Sequence, residues 1–310
     1  MTLLNIVDLN ISLPTTSGIV TASNGISLEI GQGETHCLIG ESGCGKTIVA
    51  LAIMRLLPVN AKISGKIFLN GVNLFSLSNK EMRQIRREQI AMIFEQPQSC
   101  LNPVFSVGSQ IAEAVKIRDK CSAKASKEKA LELMRNVQIP DSHKRYHHYP
   151  HEYSGGMAQR AMIAMAMALR PALLIADEPT TSLDVTIQAQ IMELIKDLVV
   201  QFNTSLFLIT HDLEAAFSMC GHVSIMYAGF IMEKGTVENI IKSPKHPYTK
   251  ALLSTISSEY SSPVRGMPPE LTKLPAGCVF HPRCSNAMPV CSKIDPQMEK
   301  GVRCHLTMKI

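Results

Sequence analysis

Residues 40–47 read Gly-Glu-Ser-Gly-Cys-Gly-Lys-Thr, and this octet limits the possible folds more than any other stretch of the chain. The spacing G-x-x-x-x-G-K-[ST] has meaning only between a buried strand and the start of a helix. Glycines at 40, 43 and 45 let the backbone curl into a concave nest of N–H donors, to which Glu41, Ser42 and Cys44 add their own amides. The helix that follows brings the partial positive charge of its N-terminus to the same place, which favours phosphate. Lys46 is placed to reach the terminal phosphates of a nucleotide. Thr47 offers a hydroxyl to Mg²⁺, a hard cation that prefers oxygen.

The surroundings supply that context. Thr35–Ile39 is a short apolar run ending in glycine, as a buried strand does. Residues 48–57 read as a helix stopped by Pro58. Alternation over 3–13 and 26–30 predicts half-buried strands, and 63–69 is a strand followed by the turn pair Asn70-Gly71. Helices are expected over 81–89, 109–137, 156–169, 186–200 and 213–219, with strands at 90–94, 172–176 and 206–209. The Met-rich stripe of 156–169 reads as core packing. Alternating strands and helices imply an α/β fold with a largely parallel sheet covered on both faces. After about Ser257 the composition turns to Pro, Ser, Gly and Cys, so the sequence divides into 1–256 and a Cys-rich extension, 257–310. No internal repeat is visible.

Composition narrows the setting. With 310 residues, 45% hydrophobic and 18% charged, the chain can bury a large core. No run approaches the ~20 apolar residues of a membrane span, and no secretion signal opens the chain, so a cytoplasmic location is expected. The net charge of +5 is modest. Its short basic clusters, Arg83, Arg86 and Arg87 and then Lys124, Lys127 and Lys129, read as solvated helix faces rather than a nucleic-acid surface.

Further motifs follow the octet in order. The apolar strand 173–176 delivers Asp177 and Glu178 at its C-terminal edge, where ligands sit in such sheets. Residues 154–160 read Ser-Gly-Gly-Met-Ala-Gln-Arg just before a helix. Ser182-Leu183-Asp184 comes soon after Glu178, and Thr210-His211-Asp212 closes another apolar strand. Together these resemble the nucleotide-binding subunit of ABC transporters over residues 1 to about 256. The resemblance implies a P-loop NTPase core, an antiparallel β-subdomain and a helical subdomain at about 96–155. It implies MgATP hydrolysis by two subunits that sandwich two ATP molecules head to tail. Lys46 and the rest of the loop would then cradle the phosphates, while Asp177 holds Mg²⁺ and Glu178 polarises the attacking water. His211 would contact the γ-phosphate and Asp184 would lie at the dimer seam. Ser154, Gly155 and Gly156, at another helix N-terminus, would serve the ATP of the partner subunit.

Two positions depart from the family pattern. Its loop glutamine, which contacts Mg²⁺, aligns on Glu95, with Gln96 one residue later. A second carboxylate beside the γ-phosphate would cost binding, which favours Gln96. No aromatic residue precedes Phe68, so adenine would rest on aliphatic groups, with Ile19 or Val20 as candidates.

The branch is narrowed by Ser99-Cys100-Leu101-Asn102-Pro103, Tyr149-Pro150-His151-Glu152, His246-Pro247-Tyr248-Thr249 and the tail Gly277-Cys278-Val279-Phe280-His281-Pro282-Arg283-Cys284. These look like importers of oligopeptides, dipeptides and nickel, and the chain looks most like the first ATPase of such a pair. Such systems imply a second, different ATPase subunit, two transmembrane permease subunits and an extracytoplasmic substrate-binding protein. They place this subunit peripherally on the cytoplasmic face of the inner membrane. Peptides, nickel and metal chelates all fit as cargo, and a non-transport ABC ATPase is the rival from another class.

Nine cysteines in an unsecreted chain argue against a disulfide framework. Cys278, Cys284, Cys291 and Cys304 could converge on one centre. Four thiolates suit an iron–sulfur cluster or structural zinc, and free thiols are the third reading. Members of the branch with this tail carry a cluster, which implies 4Fe-4S here. His281 and His305 are read as packing or solvated groups, and His143, His147 and His148 as part of a polar loop.

Overall fold

The computed structural model describes residues 1–181, 183–256, 264 and 266–308. In chain order its elements begin with β1 (Thr2–Thr15), β2 (Gly18–Gly31), β3 (Thr35–Ile39), α1 (Lys46–Ile53), β4 (Lys62–Leu69), β5 (Val72–Asn73), α2 (Asn79–Glu88) and β6 (Ile90–Ile93). There follow α3 (Pro97–Cys100), α4 (Val107–Asp119), α5 (Ala123–Asn136), α6 (Ser142–Arg145), α7 (Gly155–Ala168), β7 (Leu173–Asp177), α8 (Val185–Gln201) and β8 (Ser205–Thr210). The last are α9 (Leu213–Met219), β9 (His222–Tyr227), β10 (Phe230–Thr236), α10 (Val237–Lys242) and α11 (Pro247–Leu253). They form two compact units, one of residues 1–31, 35–76 and 209–310, the other of 32–34 and 77–208.

The first unit carries an antiparallel sheet in the order β2-β1-β4-β5. β1 and β2 form one long hairpin from Thr2↔Gly31 to Thr15↔Gly18, and β4 lies on the other side of β1. Alternation holds in two runs, with Leu4 and Ile6 buried on either side of Asn5 and Leu9 and Ile11 on either side of Asn10, and the register shift between Ile6 and Leu9 separates them. Asn70 and Gly71 both take positive φ, 49° and 78°, the conformation that a two-residue hairpin turn demands. In the same unit β3 pairs with β9 in parallel, and β10 returns antiparallel to β9.

The first helix is shorter than its apolar pattern predicts. Arg55 turns left-handed at φ 50°, its N–H bonds to Ala52 and the N–H of Leu56 reaches back to Leu51. That is the Schellman closure of a helix end, achieved without glycine and braced by the Arg55 side chain on the Leu74 carbonyl at 3.2 Å.

The second unit pairs β6 with β7 in parallel, with β8 on the far side of β7. Between β6 and β7 the regular elements are all helical. α2 opens on a capping box. Ser78 Oγ accepts from Glu81 N–H at 3.3 Å, and the Glu81 carboxylate accepts from Ser78 N–H at 2.7 Å. The single helical stretch expected over 109–137 is two helices. Lys120 turns left-handed at φ 50°, and Ser122 caps α5 by accepting from Ala125 N–H. His143 lies in α6 and His147 and His148 in the turn after it, where His148 faces Glu152 at 3.5 Å. The boundary expected after Ser257 lies outside the described residues, as does Ser182.

Candidate nucleotide site

In the first unit residues 40–47 leave β3 and enter α1 as the sequence pattern requires. Gly45, at φ 107°, precedes the helix, and a Cβ there would stand 2.0 Å from the Ala22 carbonyl oxygen. A Cβ on Gly40 would meet the Met226 carbonyl at 2.2 Å. Both glycines are therefore dictated by backbone crowding as well as by loop shape. The loop is tied to the turn between β9 and β10, where Gly229 N–H donates to the Cys44 carbonyl at 3.0 Å, and that turn is tied to β2 by Asn24 N–H on the Gly229 carbonyl at 2.8 Å. Cys44 is buried and burial raises its thiol pKa, so it packs as a small apolar side chain. Ser42, Gly43 and Thr47 are exposed. The Lys46 stem is buried, and its ammonium donates to the carbonyls of Gly40 at 2.8 Å and Glu41 at 3.1 Å. His211 is exposed at the end of β8, just before Asp212, which caps α9 by accepting from Ala215 N–H.

The second unit carries the acidic pair. Asp177 is buried at the last position of β7, at 3% exposure. Glu178 follows at φ 47°, a conformation that side chains adopt only under constraint and that concentrates at functional positions. Its carboxylate accepts from Thr181 Oγ1 at 3.0 Å. Ser154 caps α7, accepting from Met157 N–H at 3.4 Å, and leaves Gly155 and Gly156 in the first turn. Gly156 packs closely on α8, where a Cβ would stand 3.0 Å from an Ile187 methyl and the isoleucine would have to give way. Asp184 caps α8 on Ile187 N–H at 3.0 Å, a local task that its expected place at a seam did not anticipate. Glu95 and Gln96 are both exposed at the end of β6, and Gln96 accepts from Ser99 Oγ at 3.4 Å. Ile19 is 54% exposed and Val20 half-buried.

The tail of the first unit is built on its cysteines. Cys278, Cys291 and Cys304 are buried and Cys284 half-buried, all as free thiols. Cys278 N–H donates to the Cys291 carbonyl at 2.8 Å, and Met288 N–H to Cys291 Sγ at 3.4 Å. The Cys278 thiol is pushed up to about 11, first by burial and then by Cys291, Cys304 and Cys284, so the four sulfurs lie in one another's field. Among the described residues no group of three or more His, Cys, Asp or Glu side chains takes a metal-holding arrangement. His281 and His305 turn a ring nitrogen to the carbonyls of Cys278 and Ile294, at 2.9 and 2.8 Å.

Sequence reasoning missed what braces the loop. Tyr227, Tyr248 and Phe280 pack ring to ring, with centroids 4.8 to 5.3 Å apart. Arg283 reaches from beside Cys284 to the Glu41 carboxylate at 2.8 Å. Tyr248 and Arg283 both stand in stretches that the sequence had marked only as a branch signature.

A phosphate nest behind a parallel strand, an acidic pair closing a second strand and an SGG helix cap define an ATP-binding cassette. Residues 23–181 match the model of the ABC transporter family, and the chain belongs to that family. Residues 232–291 match the model described as the oligopeptide/dipeptide transporter C-terminal region. The chain is 44% identical over 302 residues to the oligopeptide transport ATP-binding protein OppD of Escherichia coli K12, covering 96% of this chain and 90% of that one. It is 45% identical over 300 residues to the dipeptide transport ATP-binding protein DppD of Bacillus subtilis 168, covering 94% and 90%. Among solved structures, the dimeric post-hydrolysis state of the cassette MJ0796 bound to ADP and Pi superposes with a TM-score of 0.67. That match has 24% identity and covers 76% of this chain and 98% of that one, a likeness of fold.

Proposed function

We propose that this chain is the MgATP-hydrolysing motor subunit of an importer of di- or oligopeptides. The observation that carries the reading is the 40–47 loop itself, with Lys46 already bent over its carbonyls and its glycines fixed by the strands behind them. Residues 40–47 cradle the phosphates. Thr47, Asp177 and Gln96 would hold Mg²⁺, which would supply charge neutralisation for phosphoryl transfer. Glu178 polarises the attacking water, and His211 contacts the γ-phosphate and steadies that arrangement. Ser154, Gly155 and Gly156 serve the ATP of a second ATPase subunit, so turnover needs both chains. Phosphoryl transfer is mostly positioning and charge neutralisation, and this set of groups suffices for it.

The cargo class rests on the C-terminal family match and on the peptide transporters among the relatives. No described helix is long and apolar enough to cross a membrane. The peptide-importer reading places the subunit against the cytoplasmic face of the inner membrane, beneath two permease subunits that receive peptide from an extracytoplasmic binding protein. Cys278, Cys284, Cys291 and Cys304 have the ligand type and number of a 4Fe-4S cluster, although as free thiols they do not stand in a metal-holding arrangement, so holding a cluster would require them to draw together. Anaerobic purification followed by iron and acid-labile sulfide counts tests that assignment, and a colourless chain with stoichiometric zinc would replace it.

The deciding experiment is ATP turnover by the complex, isolated from membranes through a tag on this chain and reconstituted with its binding protein. Stimulation by a mixture of di- and oligopeptides is expected. Stimulation by Ni²⁺ or a Ni²⁺ chelate alone would make it a metal importer, and failure to isolate any membrane partner would favour a non-transport ATPase.

A further inference from the structure

Glu41, the second residue of the phosphate loop, is gripped at three points. Its carbonyl accepts from Lys46 at 3.1 Å. Its N–H donates to the hydroxyl of the fully buried Tyr248 at 3.3 Å. Its carboxylate pairs with Arg283 Nη1 at 2.8 Å. Two of these partners lie more than 200 positions away in sequence, in the C-terminal part of the chain.

Arg283 is itself fixed. Its side chain is only 8% exposed, against 24% for that of Glu41. The guanidinium lies 5.5 Å from the Tyr227 ring centroid and donates to the Tyr227 hydroxyl at 3.2 Å. Three residues earlier Phe280 is fully buried against Tyr227, Tyr248 and His246, which sets where the His281–Arg283 turn can sit. A second strap comes from the same segment, where the Leu271 carbonyl accepts from Thr21 N–H at 2.9 Å. Pro268, Glu270 and Leu271 thereby wall a cavity of about 290 Å³ whose floor is Glu41–Cys44.

The electrostatics give these contacts a purpose. A loop that must receive a polyanion carries a carboxylate at its second position. Unopposed, that charge would repel the nucleotide, and because the Glu41 side chain is only 24% exposed, water and salt would screen it only in part. A guanidinium held by cation–π contact and a hydroxyl neutralises it at low entropic cost.

We propose that Arg283 is a positioning residue for nucleotide binding, which neutralises Glu41 and fixes the phosphate loop from the C-terminal segment. The proposal rests on the reading of residues 40–47 as the MgATP site, and the test separates the two. Equilibrium MgATP affinity of the full-length chain is measured by displacement of a fluorescent ATP analogue, for the parent, Arg283→Gln, Glu41→Gln and the double variant. Arg283→Gln should bind roughly three- to tenfold more weakly than the parent, a loss that shrinks as salt rises. The double variant should recover most of that loss, because removing the stranded carboxylate removes the repulsion. A merely structural arginine would show no such rescue.

Thermal melting accompanies each variant. Should Arg283→Gln fail to fold, Arg283→Lys takes its place: it keeps the charge but loses the guanidinium's place on Tyr227, so it should bind about two- to tenfold more weakly than the parent, a loss that Glu41→Gln recovers. A parent that binds MgATP and an Arg283→Gln that binds as tightly overturn the proposal alone. So does a double variant no better than Arg283→Gln, or an Arg283→Lys that folds yet binds more than about tenfold more weakly. A parent that binds no MgATP overturns the nucleotide-site reading and the proposal together.

Discussion

Lys46 and Glu178 act through different quantities, and substitution separates them. Lys46 carries a cation into the concave face of its loop, so Lys46→Ala should weaken MgATP binding by at least about tenfold in an equilibrium titration. Unchanged affinity would count against the loop as the site. Glu178 is held at positive φ with its carboxylate against Thr181, placed for chemistry more than for affinity. Glu178→Gln should bind MgATP normally and cut turnover by roughly 10² to 10⁴. A third side chain ties stability to pH. His246 is buried, and burial lowers its pKa from 6.5 to about 3. As the neutral base its Nδ1 accepts from Tyr248 N–H at 3.0 Å and caps α11. Below pH 6.5 the unfolded chain takes up a proton that the folded chain refuses until about pH 3, so stability falls as pH drops through that window. His36, also lowered to about 3 mainly by burial, adds to the same slope. The urea midpoint should fall between pH 7.5 and 5.5. His246→Asn, which can still accept from Tyr248 N–H, should flatten that dependence, and an unaltered slope would exclude His246 as its source.

Among the elements, α4 meets Tyr146, the residue that closes α6, at a glycine whose substitution can be judged by magnitude. Alanine inside a helix is ordinarily about 1 kcal/mol better than glycine. At Gly108 the new Cβ would lie 2.2 Å from a ring carbon of Tyr146, and overpacking of that kind costs about 1–3 kcal/mol. Gly108→Ala should therefore destabilise the chain in a denaturant melt despite its better propensity. The start of this helical region also shows what the sequence could carry. The octet and the strands around it were legible because spacing and burial there are local and strict. The break between α4 and α5 was not, because Lys120 turns left-handed with neither glycine nor proline nearby, and only the cap residue Ser122 announced a new helix. The end of α1 was hidden because Arg55 turns left-handed without a glycine, three residues before the Pro58 that the sequence offered as the stop. β9 and β10 were overlooked although Ala228-Gly229 supplies their turn. The grip on Glu41 was beyond reach, because nothing local to either residue marks an ion pair that spans 242 positions.

For the molecule as a whole, MgATP should drive association. The Glu178→Gln chain, mixed with its companion ATPase and MgATP, is expected to sediment as a dimer and to separate when nucleotide is removed. A mixture that stays monomeric at saturating MgATP would contradict the head-to-tail sandwich. The division into units bears on how such a molecule is made. Residues 77–208 of the second unit are contiguous, whereas the first unit is assembled from three separated pieces, the last beginning at Ile209. β3, which delivers the phosphate loop, finds its parallel neighbour β9 186 positions later, at His222. A ribosome adding about 5–20 residues per second takes roughly 12 to 50 seconds to travel from Glu41 to Arg283. For that interval a growing chain carries its nucleotide loop without the complete set of tyrosines, phenylalanine and arginine that holds it, so the loop at the heart of the motor is among the first parts to be made and is braced only once Arg283 has followed.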